Sequence, residues 1–572
     1  MGKFLLGLIT GVVLVFLTIV LLFFAALRFR ERPPTIAADS VLVLRLNGDI
    51  PERAPVEIPF LSQGPSLTVA NVWGMLRKAA ADPNIRAVVL EPEGLSAGWG
   101  KLEELRSDLE QFRKSGKPVY AFLRTPTARE YYIATPADRI YLSPADQMYL
   151  KGMRAEVMYL KNTLDKLGVT VDVEHAGKYK DFGDTFTRTN MSPETREVIT
   201  SVVDDLYGNL VERIAAARKM TPDHVRELVD DGLFLAPEVK KAGLVDELRF
   251  EDQVWGELKS RLQVKDVKRV RAETYLRVPL ESVGLRGKSR VALIVGEGDI
   301  IQGSPDNSTA DESALTSAGF DRVLREVGND SSIKGVIVRI DSPGGEVTAS
   351  DDIWREMNLL SKKKPMVISM SDLAASGGYY MAMTGDPIVA YPGTETGSIG
   401  VVFGKPNLHG FYDKIGVTKD FVQRGKYAGI DSDYTSLNPD ERAKLRTGVD
   451  ASYQDFVTKV ANARHRSFDQ IEPVAQGRVW LGSQAKARGL VDVLGGLDTA
   501  IDLVKKRANI PASELVTVIT YPPPRSLLDL VTRRTEEDML DVRLRQVFGG
   551  MPFHAWMKGG FLRLMPYWIT VR

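Results

Sequence analysis

The sequence predicts a layered α/β fold with largely parallel strands, built twice in one chain. In one region, the β-branched run GVIVRI (335–340) is typical of a buried strand, an amphipathic helix fits 347–361, and PMVIS (365–369) suits the next strand. Alternation of this kind favours parallel strands covered by helices. The second observation is an internal repeat: DPNIRAVVLEP (82–92) matches DSSIKGVIVRI (330–340) at an offset of 248 residues.

The repeat continues along most of the 572 residues. GKY at 177–179 matches GKY at 425–427 in the same register, and further matches occur on both sides. Chance does not give so many matches at nearly one offset. We therefore expect one copy over 40–265, a second over 289–520, and a charged joining segment over 266–288.

The N-terminus predicts a membrane anchor. Residues 4–27 carry no charge, and a helix needs about 20 residues to cross the hydrocarbon core. A cleaved signal peptide is the alternative, but its apolar stretch is usually only about 7–15 residues long. The positive charges that flank this stretch favour a body on the cytoplasmic side, but by only one charge. They therefore do not settle on which side of the membrane the body lies. The segment 28–39 is expected to be a tether.

Composition excludes several kinds of chemistry. Lysine and arginine number 75 against 74 acidic residues, with no long basic run, so we expect no nucleic-acid partner. The chain has no cysteine, which removes thiol nucleophiles and thiolate metal sites. The five histidines include no close pair, so we predict no His-rich metal site, and we predict neither metal nor cofactor.

The copies differ at residues that could carry chemistry. AASGGYY (374–380) stands where the first copy has PTAREYY, so Ser376 aligns with Ala128. In the other direction, GKYK of the first copy aligns with GKYA, so Lys180 aligns with Ala428. One copy has kept a serine and the other a lysine, as expected if a single Ser–Lys pair is shared between them.

A serine hydroxyl becomes a nucleophile when a base takes its proton, and a desolvated, neutral lysine can be that base. The glycine-rich turns supply candidate oxyanion donors, the backbone amides of Gly345 and Gly377. His409 is a weaker candidate base because its surroundings show no partner pattern. Taken singly, small residues around a serine usually indicate tight packing, and a lysine in a polar stretch is usually solvated. The complementary loss in the two copies favours catalysis.

These motifs resemble the long-form signal peptide peptidase A (protease IV) family of membrane-anchored bacterial serine peptidases. The resemblance covers nearly the whole chain and includes SPGG (342–345), AASGGYY, TGSIG (396–400) and GKYK. It implies a Clp/crotonase-type α/β fold, with Ser376 as nucleophile and Lys180 as general base. It also implies that Ser398 donates or accepts a hydrogen bond at the lysine amine.

The resemblance further implies a homotetramer on the extracytoplasmic side of the bacterial inner membrane. Its substrates would be hydrophobic peptides, namely signal-peptide remnants, and we therefore expect apolar substrate pockets. Two other functions remain open: a catalytically inactive membrane scaffold, and a crotonase-like acyl-CoA enzyme. The scaffold would be expected to lose both serine and lysine, and the acyl-CoA enzyme needs neither the pair nor an anchor.

Two features depart from the family pattern. Family members often have Asn where this chain has Asp341, which could add a carboxylate near the site. The tail over 521–572 ends in an apolar but broken stretch, and 553–568 suits contact with a membrane interface. Packing of that stretch on the body is the alternative.

Overall fold

The structure is a computed structural model that describes residues 33–55, 66–303, 314–523, 560–565 and 570–571, with isolated helical positions between 2 and 18. Most of the predicted anchor at 4–27 lies outside the described residues. Within the described part of the chain, no helix combines the length and apolar character that a membrane crossing requires.

The first half of the chain alternates strands and helices from residue 40 to 276. Its strands are Ser40–Gly48 (β1), Ile85–Leu95 (β2), Val119–Leu123 (β3), Arg139–Leu142 (β4), Gln147–Tyr149 (β5), Ala155–Glu156 (β6), Thr170–Ala176 (β7), Leu233–Leu235 (β8), Glu247–Leu248 (β9) and Lys268–Arg271 (β10). Its helices are Val69–Ala81 (α1), Trp99–Arg113 (α2), Ala128–Ala134 (α3), Lys161–Leu167 (α4), Asp184–Thr187 (α5), Pro193–Arg218 (α6), Pro222–Asp231 (α7), Ala236–Lys241 (α8), Glu251–Arg261 (α9) and Ala272–Leu276 (α10).

The second half repeats this alternation and includes two short strands near the C-terminus. Its strands are Ser289–Glu297 (β11), Asp299–Ile301 (β12), Ala314–Thr316 (β13), Ile333–Ser342 (β14), Gly344–Glu346 (β15), Met366–Ala375 (β16), Ile388–Ala390 (β17), Glu395–Gly397 (β18), Val401–Asn407 (β19), Val479–Leu481 (β20), Val493–Leu494 (β21), Val516–Tyr521 (β22), Gly560–Leu564 (β23) and Thr570–Val571 (β24). Its helices are Ser317–Asn329 (α11), Val347–Lys363 (α12), Gly377–Met381 (α13), His409–Ile415 (α14), Pro439–Ala463 (α15), Phe468–Ile471 (α16), Gly482–Ala487 (α17) and Leu497–Arg507 (α18), and single 3₁₀ turns lie at Leu280–Val283 and Glu472–Val474.

Each half is organised around a parallel sheet with the same strand order. The first sheet runs β10-β1-β2-β3-β4-β9, and the second runs β22-β11-β14-β16-β17-β21. β18 and β20 extend the second sheet from β16. The predicted tandem α/β duplication is confirmed, and the strand predicted at 335–340 and the helix predicted at 347–361 are both present.

The strands at the sheet centres are buried on both faces. In β14, residues 335–340 are all buried, and in β2 residues 87–90 are too. Parallel strands covered by helices on both sides read as continuous apolar runs, which explains the VV and VIV runs that mark the repeat. The carboxyl ends of β14 and β16 lead into the SPGG and AASGGYY segments, at the edge of the sheet where the candidate site lies.

A third sheet joins the halves, in the order β13-β12-β15-β23-β19-β7. β7 belongs to the first half and pairs antiparallel with β19 of the second, from Val401 opposite Ala176 to Asn407 opposite Thr170. Because β7 leads directly to residue 180, this pairing carries the lysine of one half to the serine of the other.

Buried charges also connect the halves. The Arg339 guanidinium lies 2.8 Å from Glu52 and 3.0 Å from Glu104, and all three side chains are almost completely buried. Lys101 lies 2.9 Å from Asp341 in a neighbouring cluster. In each pair one partner comes from the first half and one from the second.

Candidate active site

Ser376 lies at the turn between β16 and α13, in a conformation that serine rarely adopts. Its φ and ψ are 54° and −113°, in a region that costs a non-glycine residue on the order of 1–3 kcal/mol. Two backbone bonds hold it: its amide donates to the Gly397 carbonyl (2.8 Å), and its carbonyl accepts from the Tyr380 amide (2.8 Å). The strained turn therefore fixes where the hydroxyl lies.

The residues after Ser376 must be glycine because the backbone of a neighbouring turn approaches them. A β-carbon on Gly378 would lie 2.6 Å from the Ser342 carbonyl oxygen. One on Gly377 would lie 2.6 Å from Ser350 Oγ and 3.1 Å from the Gly345 amide nitrogen. The Gly345 amide nitrogen thus lies close to Gly377.

The first half has filled the corresponding place with a side chain. Glu130 aligns with Gly378, and its carboxylate accepts hydrogen bonds from the Leu95 amide (2.6 Å) and the Thr127 amide (2.8 Å). The contact closes the turn before α3 as a capping box. This half therefore has Ala128 and a capping carboxylate where the second half has Ser376 and Gly378.

Lys180 reaches Ser376 from the first half of the same chain. Its Nζ lies 2.7 Å from Ser376 Oγ, 2.8 Å from Ser398 Oγ and 2.9 Å from the Ser398 carbonyl oxygen. The side chains of Lys180, Ser376 and Ser398 are completely buried. The residues singled out from the sequence, Gly345 and Gly377 included, lie together at one site.

The environment of Lys180 disfavours a charged amine. Burial lowers the pKa of Lys180 well below its ordinary value of 10.5. The neighbouring Asp181 acts in the opposite direction, and the Arg563 guanidinium lowers the pKa further. An amine whose pKa is lowered in this way loses its proton more readily than an ordinary lysine, so it can serve as a base.

Close backbone packing keeps the lysine in place. A β-carbon on Gly477 would lie 2.6 Å from Lys180 Cβ, and one on Gly400 would lie 3.0 Å from its Cδ. The sequence analysis did not single out Gly477. Because Gly477 aligns with Asp231 of the first copy, the same comparison of copies could have found it.

Ser398 positions the lysine amine from the opposite side. It too has a positive φ, of 51°, and its amide donates to the Arg478 carbonyl (2.8 Å). The turn thereby directs both its hydroxyl and its carbonyl to Lys180.

Three expectations are modified by the structure. SPGG is only partly a turn, because Gly344 and Gly345 form β15 and pair with β12 and β23. Asp341 does not lie free beside the serine: its carboxylate is paired with Lys101 and also accepts the Leu373 amide (3.0 Å). His409 is half exposed at the start of α14, where it stacks on Tyr434, so the amine of Lys180 and not this imidazole contacts the serine.

The tail also differs from expectation. Residues 560–565, which fall within the stretch expected to contact a membrane, lie in the third sheet, and Leu562, Arg563, Leu564 and Met565 are buried there. This part of the tail packs on the body. The rest of 553–568 lies outside the described residues.

Comparison with known proteins supports the duplication and identifies the family. The model of peptidase family S49 matches twice, at residues 111–265 and 358–511. "Serine protease SPPA, chloroplastic" of Arabidopsis thaliana is 36% identical over 86% of this chain and 73% of its own length. "Protease 4" of Salmonella typhi is 33% identical over 81% and 75%, and "Protease 4" of Haemophilus influenzae is 29% identical over 86% and 84%. With more than half of its residues matched by the family model and relatives of this similarity, the chain is a serine protease and belongs to peptidase family S49.

Proposed function

We propose that the chain is a membrane-anchored serine endopeptidase that cleaves hydrophobic peptides with a Ser376–Lys180 dyad. The observation that carries the proposal is the 2.7 Å contact between a completely buried lysine amine and the hydroxyl of a strained serine. Ser–Lys pairs are a recognised variant of serine hydrolase chemistry.

In the first step, the neutral Lys180 amine accepts the proton of the Ser376 hydroxyl as Oγ attacks the peptide carbonyl. The negative charge that develops on the carbonyl oxygen is stabilised by the amides of Gly345 and Gly377. Amides fixed in a buried site stabilise this charge strongly because they need not reorient during the reaction.

In the second step, protonated Lys180 gives its proton to the leaving amine, the peptide C–N bond breaks, and an acyl-Ser376 ester remains. Water, activated by the same amine, then attacks the ester and restores the free serine. The two oxygens of Ser398 hold the amine in position throughout, and no other reactant is needed.

Hydrophobic peptides suit the apolar cluster that residues of β19, β23 and the segment after β7 form. Leu562 and Leu564 of the tail pack there against Phe182, Phe186 and Val402. Signal-peptide remnants, the substrates that the family resemblance implies, have this apolar character.

An acylation experiment tests the dyad. Full-length protein in detergent is mixed with the p-nitrophenyl ester of an acylated leucine, quenched in acid, and analysed by intact mass and peptide mapping. We expect one acyl group on Ser376 in the wild type and none in Ser376→Ala. An adduct elsewhere, or none in the wild type, would contradict the dyad; the inactive scaffold would then lead, and coenzyme A binding would test the crotonase-like alternative.

We also propose that residues 4–27 anchor the chain in the inner membrane, with a homotetrameric body on the extracytoplasmic side. The uncharged length of this stretch supports anchoring. The full chain is expected to stay in the membrane pellet after alkaline carbonate extraction, whereas a chain lacking residues 1–32 is released. Release of both would refute the anchor.

A further inference from the structure

A strand from the chain's own tail lies next to the proposed dyad. β23 runs antiparallel to β15 on one side, with Arg563 opposite Gly345, and antiparallel to β19 on the other, with Leu562 opposite Val402. The Met565 amide continues the contact by donating to the Pro343 carbonyl (3.0 Å). β23 pairs with the edges of two strands, one on each side. This is the backbone arrangement of a peptide that is bound by strand addition.

The side chains of β23 alternate between two surfaces, as they must in a strand. Leu562 and Leu564 face the apolar surface made with Phe182, Phe186 and Val402. Arg563 faces the opposite way and is only 1% exposed. The space between β15 and β19 that β23 fills is called the cleft. It accepts apolar residues on one side of the strand and a cation on the other.

The buried guanidinium occupies a pocket that we call the arginine pocket, formed by Tyr380, Phe456, Asp455 and the Val347 carbonyl. The guanidinium lies 3.5 Å from the centre of the Tyr380 ring and 5.3 Å from that of Phe456. Its nitrogens lie 3.4 Å from an Asp455 oxygen and 3.3 Å from the Val347 carbonyl. Aromatic faces with a carboxylate are the surroundings that bind a desolvated cation best.

Two carboxylates and one lysine lie at the edge of this pocket, beside the guanidinium. The Tyr380 hydroxyl lies 2.5 Å from an Asp351 oxygen and 2.9 Å from an Asp455 oxygen, close enough to donate its one proton to either. Lys459 lies 2.7 Å from Asp455 and 3.1 Å from Asp351. Two carboxylates therefore face one lysine, and Arg563 supplies the second positive charge. An uncharged side chain in its place would leave the excess negative charge to be compensated by solvent, since both carboxylates are about half exposed.

The position of the Arg563 carbonyl relates the pocket to the reaction. A β-carbon on Gly344 would lie 1.9 Å from the Arg563 carbonyl oxygen and 2.5 Å from the Gly377 amide nitrogen. The carbonyl oxygen of the arginine thus lies beside an amide that we assign to the oxyanion.

We propose that β23 occupies the substrate cleft, and that the arginine pocket selects a basic side chain at the residue whose carbonyl is attacked. The inference rests on the proposed dyad and narrows its substrates to apolar peptides that carry a basic residue at the cleavage point. It differs from the expectation of apolar pockets in one respect: the cluster under Leu562 and Leu564 is apolar, but the arginine pocket holds Asp455. A basic substrate residue in this pocket would occupy the position from which Arg563 lowers the pKa of Lys180.

The experiment compares two quenched fluorescent peptides, identical apolar sequences with arginine or leucine at one central position, cleaved by the full-length protein in detergent. We expect kcat/KM to be about tenfold higher for the arginine peptide, with cleavage after the arginine by mass spectrometry. The expected preference is moderate because Arg563 Nε has no hydrogen-bond partner among the described residues. The tail strand competes equally with both peptides, so it does not affect the ratio.

Asp455→Asn is expected to bring the ratio close to one, whereas Asp450→Asn, an exposed carboxylate on the same helix, leaves it unchanged. Equal cleavage of the two peptides by the wild type overturns the inference without touching the proposed dyad. Failure to cleave either peptide, with Ser376 still acylated by the leucine ester, overturns it too. Loss of that acylation would instead count against the proposed function.

Discussion

Lys180→Met is expected to lower kcat by about 10²- to 10⁴-fold, and Ser376→Ala to abolish peptide cleavage. Methionine fills nearly the same buried volume but has no lone pair basic enough to take the serine proton. Because the wild-type amine must be neutral to act, its rate should fall as the pH drops through the pKa of Lys180, well below 10.5. The measurement is initial rate on an apolar peptide in detergent, across pH.

The matched control is Lys178→Met, a half-exposed lysine two residues earlier that should retain wild-type activity. Thermal unfolding separates loss of chemistry from loss of fold. Lys180→Met should unfold close to the wild type, because loss of the three hydrogen bonds of the amine is offset by removal of a polar group whose burial is costly. A Lys180→Met enzyme with more than a tenth of the wild-type rate would refute the role of lysine as base.

Arg339→Met is expected to destabilise the protein by about 3–5 kcal/mol. The substitution leaves Glu52 and Glu104 buried without their cation, 2.8 and 3.0 Å from the place it occupied. Burial alone would raise the pKa of Glu52, but the Arg339 charge keeps this pKa below its ordinary value. The Glu52 carboxylate therefore stays ionised because the guanidinium is present. The midpoint of urea denaturation, followed by tryptophan fluorescence, measures the change.

Arg45→Met is the comparison for this variant, since Arg45 pairs with Glu91 at the surface and 61% of its side chain is exposed. Exposed pairs contribute about 0–1 kcal/mol, so its midpoint should barely move. Adding Glu52→Gln and Glu104→Gln to Arg339→Met should restore part of the lost stability. Equal shifts for Arg339→Met and Arg45→Met would show that the buried cluster does not hold the halves together.

Comparison of the two copies was sufficient to single out Ser376 and Lys180, because each differs from the aligned residue of the other copy while the residues around it match. The same pattern located β14 and α12, whose apolar periodicity is strong. Within a repeat, the neighbours of each residue are known from the other copy, and differences therefore stand out.

Contacts that have no equivalent in the other copy could not be found in this way. The pairing of β7 with β19 brings together residues more than 220 positions apart in sequence, and no local sequence pattern predicts it. Asp341 suggested a free carboxylate, since the sequence does not show that Lys101 of the other half neutralises it. The tail has no counterpart in the first half, and only three-dimensional structure shows that Arg563 enters a pocket.

The docking of β7 on β19 has a consequence for the newly made polypeptide. Before the two halves meet, Lys180 is in water with an ordinary, protonated amine, and Ser376 lacks the base that we propose for it. The reactive pair would arise only when the second half has been synthesised and has folded onto the first. A nascent chain on the ribosome would thus be inert in the manner of a zymogen, with completion of folding in the place of a cleaved propeptide.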